Sequence, residues 1–297
     1  MTGKGTELQQ FLSDEVSRYE GICMPVRTSL FRRLTTKQLP LSKLHPNPED
    51  EFCDPDIGPN MGIISKYEAD FRRFHGDRQE AAMSGSGVFE PIQVQKIRPD
   101  GYMILNGHHR WIAARRAGMK TIPVEIVNVT WDKDVRKLLS GVRHDRRVAL
   151  DLDEVVFASA GEPAEKPLSF PWNRLYPQSV RLGIPSLFYF LHERQYDIWV
   201  YTSQLISDDQ LRRLFRHHHA GSVYVITGIG RKSKPRRAAS AMEKMIREKY
   251  PTTFHIDQRS VLKTSGADHA FEEFPLPGKA AWSREVQDVF RKQAQDG

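Results

Sequence analysis

VALDLDEVV, residues 148–156, reads as a short buried strand, Val148-Ala-Leu150, that runs straight into two aspartates, Asp151 and Asp153. In open α/β sheets, ligands and reacting groups gather at the carboxyl ends of strands. Outward from this stretch the pattern repeats. Ile198–Tyr201 and Ser222–Thr227 are further strand segments, a helix is expected from about Pro235 to Tyr250, and Thr252–Ile256 is another strand. Strands alternating with helices predict βαβ units and a parallel sheet. Polar groups close these segments too. Thr202 and Ser203 follow Ile198-Trp-Val-Tyr201, Asp257 follows Thr253-Phe-His-Ile256, and Lys234 precedes Pro235 at the start of the expected helix.

Such a set has a chemistry. A carboxylate can attack phosphorus and carry the phosphoryl group, splitting one hard displacement into two easier ones. Asp151 and Asp257 offer hard oxygen ligands for Mg²⁺. In an extended Asp-Leu-Asp, side chains two apart share a face. Asp153 is therefore expected beside Asp151, placed for general acid work on the leaving group. The Thr202 hydroxyl and the Lys234 ammonium would neutralise charge on the transferred oxygens. Taken alone, Asp-Leu-Asp reads first as a strand-to-loop turn with an Asx cap, since short Asp pairs are common.

Four motifs in order, VALDLDEVV, VYTS, KSKPRR and FHIDQRS, resemble the haloacid dehalogenase superfamily of phosphatases and phosphotransferases over roughly residues 147–265. The resemblance implies a Rossmann-like α/β fold with Asp151 as nucleophile, Asp153 as acid/base, and Thr202 and Lys234 at the phosphoryl oxygens. It also implies Mg²⁺ held by Asp151, Asp257 and the backbone carbonyl of Asp153. One departure is plain. Gln258, Arg259, Ser260 and Val261 stand where the family usually places a second acid after the fourth-motif Asp. The intervals from Asp153 to Thr202 and from Thr202 to Lys234 hold no large cap domain. Capless members tend to have open sites and often act on macromolecules, so a phosphorylated protein or a nucleic-acid end is an expected substrate class. The basic runs Arg212-Arg213, Arg216–His219 and Arg231–Arg237 could line such a site, or be ordinary solvated surface.

The N-terminal half reads differently. Residues 45–62 are rich in Pro, Asp, Asn and Gly and must be mostly loop. Ile63–His75 is an amphipathic helix with Ile63, Ile64, Tyr67, Phe71 and Phe74 as its stripe, and Gly76 is a plausible cap. Pro91–Ile97 alternates as a strand, Pro99-Asp-Gly101 turns, and Tyr102–Leu105 is a second strand. A helix over Trp111–Ala117, a strand over Ile122–Val129 and a helix near Asp132–Ser140 follow. Asn106-Gly107-His108-His109-Arg110 sits between strand and helix. Gly107 permits a tight turn, helix N-terminal amides attract anions, and imidazole and guanidinium groups can donate to phosphate oxygens. His108 and His109 are equally readable as a partly buried pair.

Residues 37–129, above all FEPIQVQKIRPDGYMILNGHHRWIAARRAGMKTIPVEIV, resemble the ParB/sulfiredoxin superfamily. The resemblance implies an α+β domain that binds ATP or another nucleoside triphosphate through the box. His108 occupies the place of the sulfiredoxin cysteine, which argues against that activity. NGHHR is closest to the free-serine-kinase box, with Asn106 in place of Asp. Kinase-like members use an early Glu as base, and Glu49 and Glu51 lie in about that region. No convincing helix-turn-helix follows residue 130.

At 297 residues, two domains are expected: a helical lead-in over 1–34, a nucleotide-binding domain over 35–142 and a phosphatase-like domain over 146–297. Lys and Arg number 44 against 37 Asp and Glu, a formal charge of +7, which favours anionic partners. Two cysteines make no disulfide framework, no apolar run approaches the ~18 residues of a membrane span, and the first ten residues lack a signal-like apolar core. A cytoplasmic location is the expectation. The function expected is a two-domain phosphoryl-transfer enzyme. Its alternatives are a ParB-like nucleic-acid-binding protein or a nucleotide-controlled switch with a non-catalytic second half.

Overall fold

The structure is a computed structural model describing residues 3–19, 22–74, 77–142, 144–228, 243–265, 270–278 and 281–295. It divides into two compact units. The described residues of the first end at Asn128, and those of the second begin at Val129.

In the first unit, helix α1 (Gly3–Tyr19) leads to β1 (Met24–Pro25), α2 (Leu30–Arg33), β2 (Lys37–Pro40) and β3 (Leu44–His45). Helices α3 (Met61–Phe74) and α4 (Arg78–Met83) precede the hairpin β4 (Ile92–Arg98) and β5 (Tyr102–Asn106). Helix α5 (His108–Arg116) and β6 (Thr121–Ile126) complete it. The sheet runs β2-β6-β4-β5-β3, with β1 also on β4. It is mixed: β4 is antiparallel to β5 and parallel to β6. The expected lead-in is thus not all helix, because β1 pairs Met24 with Arg98 and Pro25 with Ile97. The Asn128 side chain extends that tie, accepting the Thr28 amide at 2.9 Å and donating to the Thr28 carbonyl at 2.9 Å.

Helix α3 buries Ile64, Phe71 and Phe74, at one-face spacing, while Ile63, expected in the stripe, is 42% exposed. The cap expected at Gly76 lies outside the described residues. Helix α5 begins three residues before the predicted start at Trp111, so His108, His109 and Arg110 form its first turn.

The second unit begins with α6 (Asp132–Ser140), then β7 (Arg146–Asp151) and a π-helical turn over Leu152–Val156. Helices α7 (Trp172–Leu175) and α8 (Ile184–Glu193), strand β8 (Asp197–Thr202), helix α9 (Asp208–His217) and strand β9 (Tyr224–Thr227) follow. Among the described residues, 243–249 are helical (α10). Strands β10 (Thr252–Ile256), β11 (Ser260–Ser265) and β12 (Ala270–Pro275) and helix α11 (Trp282–Gln293) end the unit. The sheet order is β12-β11-β10-β7-β8-β9. Strands β10, β7, β8 and β9 are parallel, as expected. The antiparallel β11 and β12 were not legible in the sequence.

Strand period sorts the side chains. Val148 and Leu150 of β7 join Ile198, Val200, Val225, Phe254 and Ile256 under α8, α9 and α11. The alternate residues Trp199 and Ile226 face Val135 of α6, Ile246 of α10 and Tyr250. Helix α6, which the sequence reading places inside a first domain ending at residue 142, therefore packs on the second sheet. Thr130 reinforces this: its hydroxyl accepts the Thr227 amide at 3.1 Å. Among the described residues, no helix is long and apolar enough to cross a membrane.

Candidate functional site

Asp151 is the exposed last residue of β7. Its Oδ1 accepts the amides of Asp153 at 2.7 Å and Glu154 at 2.8 Å, capping the π-helical turn. The extended Asp-Leu-Asp expected from the sequence is therefore not formed. The chain leaves the strand at Leu152, whose side chain is drawn fully into the core, and Asp153 rides on the turn. The Asx cap and the candidate nucleophile are the same carboxylate.

Asp153 turns toward β8. The Thr202 hydroxyl donates to its Oδ2 at 2.8 Å, and Gln204 Nε2 donates to its Oδ1 at 2.7 Å. The Thr202 oxygen also accepts the Gln204 amide at 3.0 Å. Partial burial pushes the Asp153 carboxyl above the usual carboxylate range; the Thr202 bond opposes this, and the charge on Asp151 adds to the rise. Gln204 went unread in the sequence, although it stands two residues past Thr202, which was read.

Asp257 follows β10, whose Ile256 is in register with Leu150 of β7, so Asp151 and Asp257 leave adjacent parallel strands side by side. Both line an open cavity of about 590 Å³. Gln258, at the place of the absent second acid, donates through Nε2 to the Glu154 carbonyl at 2.6 Å and so ties β10 to the turn. Among the described residues, no group of three His, Cys, Asp or Glu is gathered for a metal ion. The expected set needs only two carboxylates and one peptide carbonyl. An exposed carboxylate pair at adjacent strand ends is a fitting hard-oxygen donor set for Mg²⁺. Lys234 lies outside the described residues.

The same cavity meets Arg147, whose side chain is 1% exposed. Its Nε donates to the Thr253 hydroxyl at 2.7 Å, Nη1 to the Tyr201 hydroxyl at 2.8 Å and Nη2 to Glu243 at 2.6 Å. Burial lowers the pKa of His255, another lining residue. Arg147 went unread in the sequence; only its place on β7, two and four residues before Ala149 and Asp151 on the same face, could have flagged it.

In the first unit, Asn106 ends β5 exposed, and Gly107 takes φ +102°. A Cβ there would overlap the side chain of Ile92, itself fully buried. His108 is 4% exposed; its Nε2 accepts the Asn47 amide at 3.2 Å and its Nδ1 lies 3.5 Å from Asp50 Oδ1. His109 Nε2 accepts the Asn60 amide at 3.1 Å. Phe52 stacks on His108 at 5.3 Å and meets His109 edge-on at 4.9 Å. Arg110 donates to the Glu90 carbonyl at 2.6 Å. The two imidazoles expected as phosphate donors are thus engaged within the chain, and Arg110 spends one nitrogen on the Glu90 carbonyl. The two imidazoles accept backbone amides and latch the 47–60 loop, the partly buried pair of the alternative reading. Asn106 is exposed where the Gly107 turn leads into the N-terminus of α5, the end of a helix that attracts anions. Glu49 is exposed and Glu51 opens a short 3₁₀ turn; the acid that faces the box is Asp50, between them.

Gly107→Ala is expected to cost about 2–3 kcal/mol, from a left-handed backbone without glycine plus overpacking against Ile92. Urea denaturation reads it, and a loss under about 0.5 kcal/mol would contradict the geometry.

Burial lowers the His109 pKa, with Asp50 pulling the other way. The neutral ring is the acceptor of the latch, so the folded protein binds its proton later than the unfolded chain. The latch is fully stable above the unfolded value of about 6.5 and weakens as pH falls through the lowered folded value. Amide exchange at Asn60 should accelerate over that window, beyond the ordinary pH trend, and His109→Phe should remove the extra step. A flat Asn60 protection profile in the native protein would contradict the latch.

Residues 77–140 match the family model of the ParB N-terminal domain. A 49-residue stretch is 39% identical to the probable chromosome-partitioning protein ParB of Vibrio cholerae, covering 16% of this chain and 17% of that protein. Among solved structures, the C-terminally truncated ParB of Caulobacter crescentus complexed with CTP-gamma-S is 22% identical. It covers 37% of this chain and 56% of that one, with a TM-score of 0.24. A free serine kinase mutant in complex with AMP is 14% identical over 91% of this chain and 85% of its own, with a TM-score of 0.22. The chain spans less than two thirds of the ParB proteins it matches. The similarity that holds at the level of a family is to the ParB N-terminal domain, over residues 77–140 of this chain.

Proposed function

We propose that the second unit hydrolyses phosphomonoesters through Asp151, and that the first binds a nucleotide at the Asn106–Arg110 turn. The observation carrying the first part is the convergence of Asp151, Asp153, Thr202 and Asp257 at the carboxyl ends of β7, β8 and β10, with Asp153 held by a hydroxyl and its pKa raised by partial burial. This supports the haloacid-dehalogenase-like reading of residues 147–265.

In that reading a carboxylate oxygen of Asp151 attacks phosphorus while the bond to the leaving oxygen breaks, and the proton of Asp153 passes to that oxygen. Asp153, now a carboxylate, takes a proton from the water that attacks the aspartyl-phosphate, releasing phosphate and restoring both aspartates. Mg²⁺, held by Asp151, Asp257 and the Asp153 carbonyl, would supply charge neutralisation at the phosphoryl oxygens. Thr202 fixes the Asp153 carboxyl, and Gln204 holds its other oxygen. Lys234 keeps its proposed role from the sequence pattern alone.

For the first unit, the ParB N-terminal domain match and the glycine turn into α5 support a nucleoside triphosphate such as ATP or CTP. Any base toward an acceptor hydroxyl is better sought at Asp50 than at Glu49 or Glu51. Hydrolysis of p-nitrophenyl phosphate with Mg²⁺ tests the second unit, and calorimetry with ATP, CTP and GTP, followed by a phosphate-release assay, tests the first. No turnover of any phosphomonoester, with nucleotide bound intact, would leave the alternative of a nucleotide-controlled binding protein.

A further inference from the structure

The segment between the π-helical turn and α8 carries two large aromatic side chains in solvent, Phe170 at 70% and Trp172 at 39% exposure. Exposed rings of this size are expensive to leave in water unless something covers them. Beside them stand a guanidinium and an imidazole. The Arg174 guanidinium lies 5.3 Å from the centre of the Phe170 ring. The Trp172 ring lies 4.5 Å from that of His217, which also contacts the buried Tyr176 at 5.5 Å. Gln210 of α9 donates to the Leu175 carbonyl at 3.4 Å, so Gln210 and His217 fix the α9 face that borders this segment. Arg213 falls between them on that face by helical spacing.

Three nearby acids have partners of their own. Glu165 accepts the Gly183 amide at 2.8 Å, Glu162 pairs with Arg181 at 3.0 Å, and Asp208 pairs with Arg212 at 2.9 Å. The ledge sets the Phe170 and Trp172 rings beside the Arg174 and Arg213 guanidinium groups.

We propose that this ledge, Phe170 and Trp172 with Arg174, Arg213 and His217, binds single-stranded nucleic acid. Bases stack on the two rings while the Arg174 and Arg213 guanidinium groups meet the phosphates and His217 backs the Trp172 ring, the combination that holds single strands without sequence readout. A duplex presents its bases already stacked and hides their faces, so it lacks the contact the rings offer. An apolar protein partner would be served by the rings but not by the surrounding cations. The formal charge of +7 on the chain agrees with a polyanion. The proposal is independent of catalysis at Asp151 and of nucleotide binding at Gly107.

The test is fluorescence anisotropy of the full chain with labelled twelve-nucleotide oligo-dT, oligo-U and a duplex of equal length, at low and moderate salt. Single strands should bind at least tenfold more tightly than the duplex, and more weakly as salt rises. Phe170→Ala and Trp172→Ala should each weaken binding about tenfold, with Trp172→Phe restoring most of it. Both side chains are exposed, so far-UV circular dichroism should stay unchanged; Arg174→Glu gives a second, fold-neutral probe. A preference for dT or for U distinguishes a DNA from an RNA occupant. No single-strand binding at low salt, or binding that survives both alanine variants and is lost in Arg110→Ala, overturns the proposal.

Discussion

Asp151→Asn is expected to lower phosphomonoester turnover by on the order of 10⁴-fold or more, because an amide oxygen cannot serve as the attacking carboxylate. The substitution suits the question. Asn keeps an oxygen that can cap the amides of Asp153 and Glu154, so the π-helical turn should persist and the melting temperature should move little. Asp153→Asn should behave differently, and its pattern is more informative than its size. General acid catalysis contributes about 10²–10⁴-fold when the leaving group needs a proton. An alkyl phosphate should lose nearly all of that, whereas p-nitrophenyl phosphate, whose leaving group departs as an anion, should lose far less in the first step. The raised Asp153 pKa sets the pH dependence: activity on alkyl phosphates should fall on the alkaline side as that carboxyl loses its proton, at a higher pH than an ordinary carboxylate would dictate. Full activity of Asp151→Asn would falsify the assignment.

Arg147→Ala should destabilise the fold by about 2–4 kcal/mol. The guanidinium is buried and makes three side-chain bonds, to Thr253, Tyr201 and Glu243. Removing it strands the Tyr201 and Thr253 hydroxyls in the interior and leaves a cavity beside β7. Glu243 is about a third exposed and can turn to water, so the loss comes chiefly from the hydroxyls and the void. Arg147→Met fills most of the volume and should cost about 1–3 kcal/mol less than the alanine variant. Equilibrium denaturation of both variants separates the polar from the packing contribution. Equal losses for Met and Ala would contradict that division.

Much of the frame was legible without coordinates, and particular residues say why. Buried parallel strands read as short apolar runs, so β7, β8 and β10 announce themselves, and the polar residue ending each run marks the rim where Asp151, Thr202 and Asp257 meet. Strand period likewise exposed β4, and helical period gave α3 and α6. The antiparallel β11 and β12 were lost because one is half-exposed and the other is rich in charge, which blurs the period.

What the sequence determined by itself was therefore local and periodic: which segments form strands and helices, and which polar side chains close them. Tertiary structure alone decided how those side chains are used. It drew Leu152 into the core and so moved Asp153 off the strand onto a turn facing Thr202. It spent His108 and His109 on the amides of a loop far away in sequence, and it brought Arg147 against Thr253, Tyr201 and Glu243. These contacts join residues dozens of positions apart, and no period along the chain encodes them. Burial demands a partner for each polar group, and the partner is chosen by packing.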